Sequence, residues 1–188
     1  MRVTTLTMVT LAVAGTMAAA GHTAVTEERR VTVCSAMAPG PEFGAAHMLA
    51  SEMFARIGVK LEWRGAAHCP AGALQVTVST RTPEDLKPGA LAYALPFEGS
   101  HIVVIWDRVQ ATVGPRVSVL LAHVLAHEIT HILEGLCRHS DSGLMKAYWD
   151  GSDYRGMNSQ PMAFAGEDVE LIYAGLARRA QGAVVATY

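Results

Sequence analysis

The chain alternates short hydrophobic runs with stretches of turn-forming residues. In residues 31–35, Val31 and Val33 alternate with polar neighbours, which predicts a strand with one buried face. Similar β-rich runs, bounded by Gly, Pro, Ser and Asp, predict four further strands. These strands are expected at residues 59–64, 74–80, 90–97 and 101–109.

Three segments have the spacing of helices. Residues 41–58 carry apolar side chains at helical intervals, with Pro41 at the start. Residues 117–135 are apolar nearly all round, which predicts a helix buried at the centre of the fold and ended by a glycine. Residues 166–179 begin with acids and end with two arginines, an arrangement that the helix dipole favours.

The order of these elements predicts an α+β domain. The first strand, helix and strand form a β-α-β unit, so the two strands are expected to be parallel neighbours with a right-handed crossover. The later connections are short and allow antiparallel additions. The expected architecture is a twisted mixed sheet of five strands with three helices packed on it.

The N-terminus has the features of a secretory signal. Only Arg2 precedes an apolar run that ends in small residues, and cleavage near Ala20 or Ala24 fits the small-residue rule. We therefore predict a signal peptide over residues 1–24 and a single domain over residues 25–188. The protein would be secreted or periplasmic, with no stable membrane association after cleavage. An uncleaved membrane anchor is the alternative.

Composition and charge restrict the partners. The chain has 188 residues, of which 51% are hydrophobic, and a formal net charge of −2. Neither sign of charge dominates, so charge alone predicts no binding to nucleic acid or to anionic membranes.

The three cysteines predict one disulfide in an exported protein. If the strands at residues 31–35 and 59–64 are parallel neighbours, Cys34 and Cys69 both lie at or beyond the same ends of those strands. We therefore prefer the pair Cys34–Cys69, which leaves Cys137 free.

The buried helix carries a pattern typical of zinc sites. His127 and His131 are four residues apart, so both imidazoles lie on one helix face and can reach one ion. Glu128 lies about 100° around the helix, where it can act on water instead of the metal. A buried helix rarely carries such polar groups unless they have a partner.

A catalytic zinc usually has three protein ligands, and three residues compete for the third position. Glu134 is on the same helix, where a compact tetrahedron is hard to build. Cys137 and His139 follow Gly135, where the chain can turn back. Cys137 would supply a thiolate, and His139 would complete three neutral imidazoles. His123, four residues before the first ligand, is expected to be a packed core or supporting histidine.

The stretch HEITHILEGLCRHSDSGLM resembles the metzincin zinc endopeptidases, and it is most similar to their matrixin branch. The run GALAYALPF is similar to the strand that lines the cleft of that family, and GEDVELIYAGL is similar to its last helix. The resemblance implies a metzincin-like twisted mixed sheet of five strands with three helices. The zinc-binding motif would lie on the central helix and a methionine turn would follow it.

Carried onto this sequence, the resemblance implies that His127, His131 and His139 bind the metal and that Met145 supports the site from below. Gly135 comes one residue later than in the family, and His139 two residues later. Strict counting would place Cys137 at the third ligand position. The context of the following serine and methionine places His139 there.

These features predict a secreted zinc-dependent endopeptidase, with Glu128 as general base for a metal-activated water. A peptide or protein substrate would bind along the strand at residues 90–97. Tyr148 is a candidate donor to the oxyanion. One alternative is a secreted zinc-binding module of protease-like fold without catalytic activity. Another alternative takes the third ligand from the last helix, at Glu167 or Glu170.

Overall fold

A computed structural model describes residues 29–36, 40–84 and 86–185 of the chain. The predicted signal peptide, residues 1–24, lies outside these residues. The strands are β1 (Arg30–Ser35), β2 (Lys60–Gly65), β3 (Leu74–Ser79), β4 (Ala92–Ala94) and β5 (His101–Ile105). The helices are α1 (Pro41–Ala55), α2 (Trp106–Ala111), α3 (Val117–Glu134), α4 (Gly151–Met157) and α5 (Gly166–Val185), with a 3₁₀ turn at Ala66–His68.

The five strands form one mixed sheet in the order β2-β1-β3-β5-β4. Strands β2, β1, β3 and β5 are parallel, and β4 is antiparallel to β5 at one edge. The predicted parallel pairing of the first two strands is confirmed. The antiparallel edge strand lines the cavity beside α3.

Helix α3 forms the centre of the hydrophobic core. It packs against α1, α5 and the strands β4 and β5, and every residue from Val119 to Glu134 is buried. It has the length and hydropathy of a membrane span, but 83% of it is buried within the protein, as in the core helix of a globular domain. Gly135 ends it as predicted, with φ of 68° and its N–H donating to the His131 carbonyl at 3.0 Å.

Helix α5 crosses the end of α3 at very short range. A Cβ atom at Gly175 would lie 1.7 Å from the Leu133 carbonyl oxygen, so only glycine permits this approach. Arg178 on the same helix donates to the Glu134 carbonyl at 2.8 Å, which satisfies a carbonyl at the end of α3. The last helix is therefore closely fitted to the element that carries the metal motif.

Three predictions about secondary structure were wrong. The strand expected at residues 101–109 ends at Ile105 and continues as α2, and the strand expected at residues 90–97 is regular only over Ala92–Ala94. The segment between the second and third predicted helices, where no helix was predicted, contains α4, so the described residues form five helices instead of three. Short apolar runs such as β5–α2 do not by themselves separate strand from helix.

The preferred disulfide is present. Cys34 at the end of β1 is bonded to Cys69 just past the 3₁₀ turn, with a Cα–Cα distance of 5.7 Å. The parallel pairing of β1 with β2 brings the two residues to the same edge of the sheet. Cys137 is exposed and free.

Candidate metal centre

Three histidine side chains converge at the end of α3. The Nε2 atoms of His127 and His131 lie 3.0 Å apart, as expected for residues one helical turn apart. The ring of His139 lies 5.3 Å from that of His127 and 4.9 Å from that of His131, between centroids. One nitrogen from each residue falls within 4.8 Å of the others, which is a spacing that one metal ion can span.

The two helical histidines are oriented by carbonyl groups behind them. His127 Nδ1 lies 3.0 Å from the Leu144 carbonyl, and His131 Nδ1 lies 3.0 Å from the Leu136 carbonyl. A carbonyl only accepts hydrogen bonds, so each Nδ1 carries the proton and each Nε2 presents a lone pair to the other. This is the tautomer that a metal-binding histidine requires.

Burial also keeps these two rings neutral. Burial and, as a smaller cause, the neighbouring His131 together lower the pKa of His127 to about 3. Burial likewise lowers the pKa of His131 to about 4. Two uncharged rings whose lone pairs face each other at 3.0 Å repel unless a cation lies between them.

Glu128 is placed beside the histidines and toward the edge strand. It is 8% exposed, lines the same cavity, and accepts a hydrogen bond from the backbone N–H of Ala94 in β4. Burial raises the pKa of Glu128 to about 8, and the Ala94 hydrogen bond opposes this rise. A carboxyl group whose pKa lies near neutrality is suited to exchanging protons in both directions.

The path of the loop after α3 distinguishes the three candidates for a third ligand, because it brings only one of them to the two helical histidines. Gly135 turns the chain, and the Leu136 N–H closes the turn by donating a hydrogen bond to the His131 carbonyl at 3.3 Å. The loop then brings His139 to the two helical histidines. Among the described residues, neither Glu134 nor Cys137 belongs to this group; Glu134 is buried, and Cys137 is exposed along the cavity.

A tight turn holds the Leu144 carbonyl in place behind His127. Ser140 N–H donates to the Met145 carbonyl at 2.8 Å, and Leu144 N–H donates to the Ala163 carbonyl at 2.8 Å. Gly143 has φ of 75° and lies so close to Ala163 that a side chain would clash. Met145 is fully buried in this turn. The Leu144 carbonyl also accepts a hydrogen bond from the indole N–H of Trp149 at 3.1 Å, which the sequence analysis did not identify.

His123 is a satisfied core histidine, as predicted. Its Nδ1 lies 2.7 Å from the Val119 carbonyl, and its Nε2 accepts the backbone N–H of Met162 at 3.1 Å. The ring of Trp149 meets it edge-on at 6.2 Å. Burial lowers its pKa, because the charged form would lose its solvation.

A cavity of about 710 Å³ runs past the histidines. One wall is the chain from Leu86 to Pro96, including β4, and the opposite wall is the chain from Lys146 to Trp149 with Tyr154. Tyr148 is 77% exposed on the rim. Lys146 is ion-paired with Asp150 and Asp153, a pair that also forms the capping box of α4.

No family model and no curated protein matches this sequence. A search of solved structures finds the crystal structure of archaemetzincin from Methanopyrus kandleri, with a TM-score of 0.56 and 13% sequence identity. The match covers 79% of this chain and 96% of that one. The chain therefore has a metzincin-like fold, as the resemblance implied. This likeness does not extend to the matrixin branch in particular.

Proposed function

We propose that this protein is a zinc-dependent endopeptidase whose metal is held by His127, His131 and His139. The observation that carries the proposal is the facing pair of neutral Nε2 atoms, 3.0 Å apart, with a third imidazole beside them. The metzincin-like fold supports it, because the neighbouring structure is an archaemetzincin. The likeness to matrixins rests on sequence resemblance, from His127 to Met145 and in the runs GALAYALPF and GEDVELIYAGL.

The donor set suits zinc. Three neutral imidazoles are a ligand set found in catalytic zinc sites, where a fourth position stays open for water or substrate. Both helical histidines already have the required tautomer, fixed by carbonyl acceptors. Met145, buried in the turn that supplies the Leu144 carbonyl, would support the site from below without binding the ion.

The chemistry divides between the ion and the chain. When bound, zinc supplies a Lewis acid that polarises a carbonyl and makes water nucleophilic near neutral pH. The Glu128 carboxylate accepts the proton of the attacking water and passes it to the leaving amine. The backbone N–H of Ala94 interacts with that carboxylate and favours its charged form. Tyr148, on the rim of the cleft, is the candidate donor to the oxyanion.

The substrate would bind as an added strand. Strand β4 is the edge of the sheet, and the chain from residue 90 to residue 96 lines the cleft. An extended peptide can form main-chain hydrogen bonds with such an edge, so we propose binding along residues 90–97. Export through the signal peptide at residues 1–24 remains part of the proposal, and the Cys34–Cys69 disulfide suits an oxidising compartment.

The substitution Glu128→Gln tests the proposal. It keeps the shape of the side chain but removes the base, so cleavage of a peptide library should fall by at least about a hundredfold, the lower end of the range for general bases. Zinc content, measured by atomic emission, should stay at the wild-type level. Glu42→Gln, at an exposed acid of α1, is the matched control and should leave both unchanged.

A second function, a zinc-binding module without activity, is favoured by the thiol of Cys137. Cys137 is two residues before His139 in the sequence, and it lines the same cavity. As a fourth ligand it would close the open position of the zinc site. Wild-type protein that binds zinc yet leaves a broad peptide library intact would establish this alternative. Cleavage that persists in Glu128→Gln would contradict the proposed mechanism.

A further inference from the structure

His139 differs from the other two histidines in how it is held. His127 and His131 each have a carbonyl acceptor behind the ring. Within the described part of the chain, His139 has ring contacts with these two histidines but no hydrogen bond of its own, and its side chain is exposed. A ligand on a loop needs some other constraint to hold its ring in a binding position.

The residues on either side of His139 are both tied to one buried carboxylate. Arg138 donates from Nη1 to Asp168 Oδ1 at 2.9 Å, and the Ser140 hydroxyl donates to the same oxygen. Asp168 is 0% exposed and lies in the first turn of α5. Its second oxygen accepts the N–H of Ala165 at 3.0 Å, which fixes the carboxylate to the start of that helix.

The Arg138 guanidinium reaches two further carboxylates. Its Nη2 donates to Glu167 at 2.8 Å and to the Ser140 hydroxyl at 3.2 Å, and its Nη1 lies 3.7 Å from Glu134 on α3. The planar, forked guanidinium can hold several acceptors at once in a fixed geometry. The loop is thus joined to both α3 and α5 by a part-buried group that is 24% exposed.

We propose that Asp168, acting through Arg138 and Ser140, is the positioning residue that holds His139 at the metal centre. Helix α5 thereby sets the affinity of the site for zinc, although none of its residues belongs to the histidine group. The inference rests on the proposed zinc site. It also accounts for Glu167, which pairs with Arg138 at 2.8 Å and so has a partner other than a metal ion.

The test compares Asp168→Asn and Arg138→Met with wild type in full-length protein. Zinc affinity is measured by competition with a chelator, and Co²⁺ loaded in place of zinc reports the ligand set through its visible spectrum. Loss of an outer contact to a ligand typically weakens metal binding by about 10–100-fold, and we expect that loss in both variants. Their Co²⁺ spectra should shift toward that of His139→Ala.

Two further variants separate positioning from general stability. Arg138→Lys keeps the charge but not the fork, so it should recover part of the affinity that Arg138→Met loses. Asp107→Asn, at an exposed acid in the first turn of α2, is the matched control and should bind zinc as wild type does. Arg138 is part-exposed, so Arg138→Met tests the positioning role even if Asp168→Asn fails to fold.

The outcomes are distinct. Folded Arg138→Met with wild-type zinc affinity and an unchanged Co²⁺ spectrum would overturn the positioning role and leave the zinc site intact. A wild-type chain that binds neither ion would overturn the proposed function, and the positioning role with it.

Discussion

At the scale of single residues, the candidate site depends on backbone carbonyls as much as on side chains. The Leu144 carbonyl accepts from both His127 and the indole of Trp149, and the Leu136 carbonyl accepts from His131. These bonds select the tautomer that leaves Nε2 free. The spacing of His127, Glu128 and His131 predicted two ligands and a base, but it contains no information about which carbonyls would lie behind the two histidines.

His123 gives a pH dependence that can be measured. Burial lowers the pKa of His123 in the folded protein below its ordinary value of 6.5. Below about pH 6.5, His123 is therefore protonated in the unfolded chain while it stays neutral in the folded protein. The stability contributed by neutral His123 is therefore fully present above that pH and is lost as the pH falls toward the lowered pKa. His123→Gln can still accept a hydrogen bond from the Met162 N–H. Its unfolding free energy should fall less steeply than that of wild type between about pH 7 and pH 5.

The measurement is urea unfolding of zinc-loaded wild type and His123→Gln across that range. The difference between the two proteins removes the contribution of every other titrating group, provided that these groups titrate alike in both. If the unfolding free energy fell equally steeply with falling pH in both proteins, His123 would not be the source of the pH dependence.

At the scale of elements, α5 crosses α3, the helix that carries His127 and His131, at very short range. Gly175→Ala would place a methyl group against the Leu133 carbonyl, so the helices would have to separate. We expect a loss of about 1–3 kcal/mol in unfolding free energy, as for other overpacked sites. Chemical denaturation at constant zinc concentration measures it.

Gly182→Ala is the control for helix propensity. Gly182 lies in the same helix, and a Cβ atom there would meet nothing within 4 Å. The substitution should leave stability unchanged or raise it by up to about 1 kcal/mol, because alanine favours helix over glycine. If both substitutions had the same effect, the close crossing would not be the cause.

Sequence periodicity predicted the long helices and failed on the short ones. Helices α1, α3 and α5 have sustained helical spacing, and Gly135 marked the end of α3 correctly. Helix α2 continues directly from β5, where six residues are too few for a period to emerge. Helix α4 could have been found, because Asp150 and Asp153 form a capping box, but its seven residues include only Met157 in the core.

At the scale of the whole molecule, element order predicted the parallel pair β1–β2, and that pairing together with the cysteine positions favoured the disulfide Cys34–Cys69. Element order did not predict the position of β5 between β3 and β4, because sheet order is decided by contacts between residues far apart in sequence. The same limit applies to the site. Which candidate reaches the two helical histidines depends on the path of the loop after Gly135, and the link from Arg138 to Asp168 joins residues 30 positions apart in sequence.

The most direct test of the zinc centre is metal analysis of three purified proteins: wild type, His139→Ala and Cys137→Ser. After dialysis against dilute chelator, wild type and Cys137→Ser should each retain one zinc ion per chain, because the cysteine lies outside the three-histidine group. His139→Ala should lose most of its zinc. Retention of zinc by His139→Ala together with its loss from Cys137→Ser would contradict the assignment of the third ligand and the catalytic site built on it.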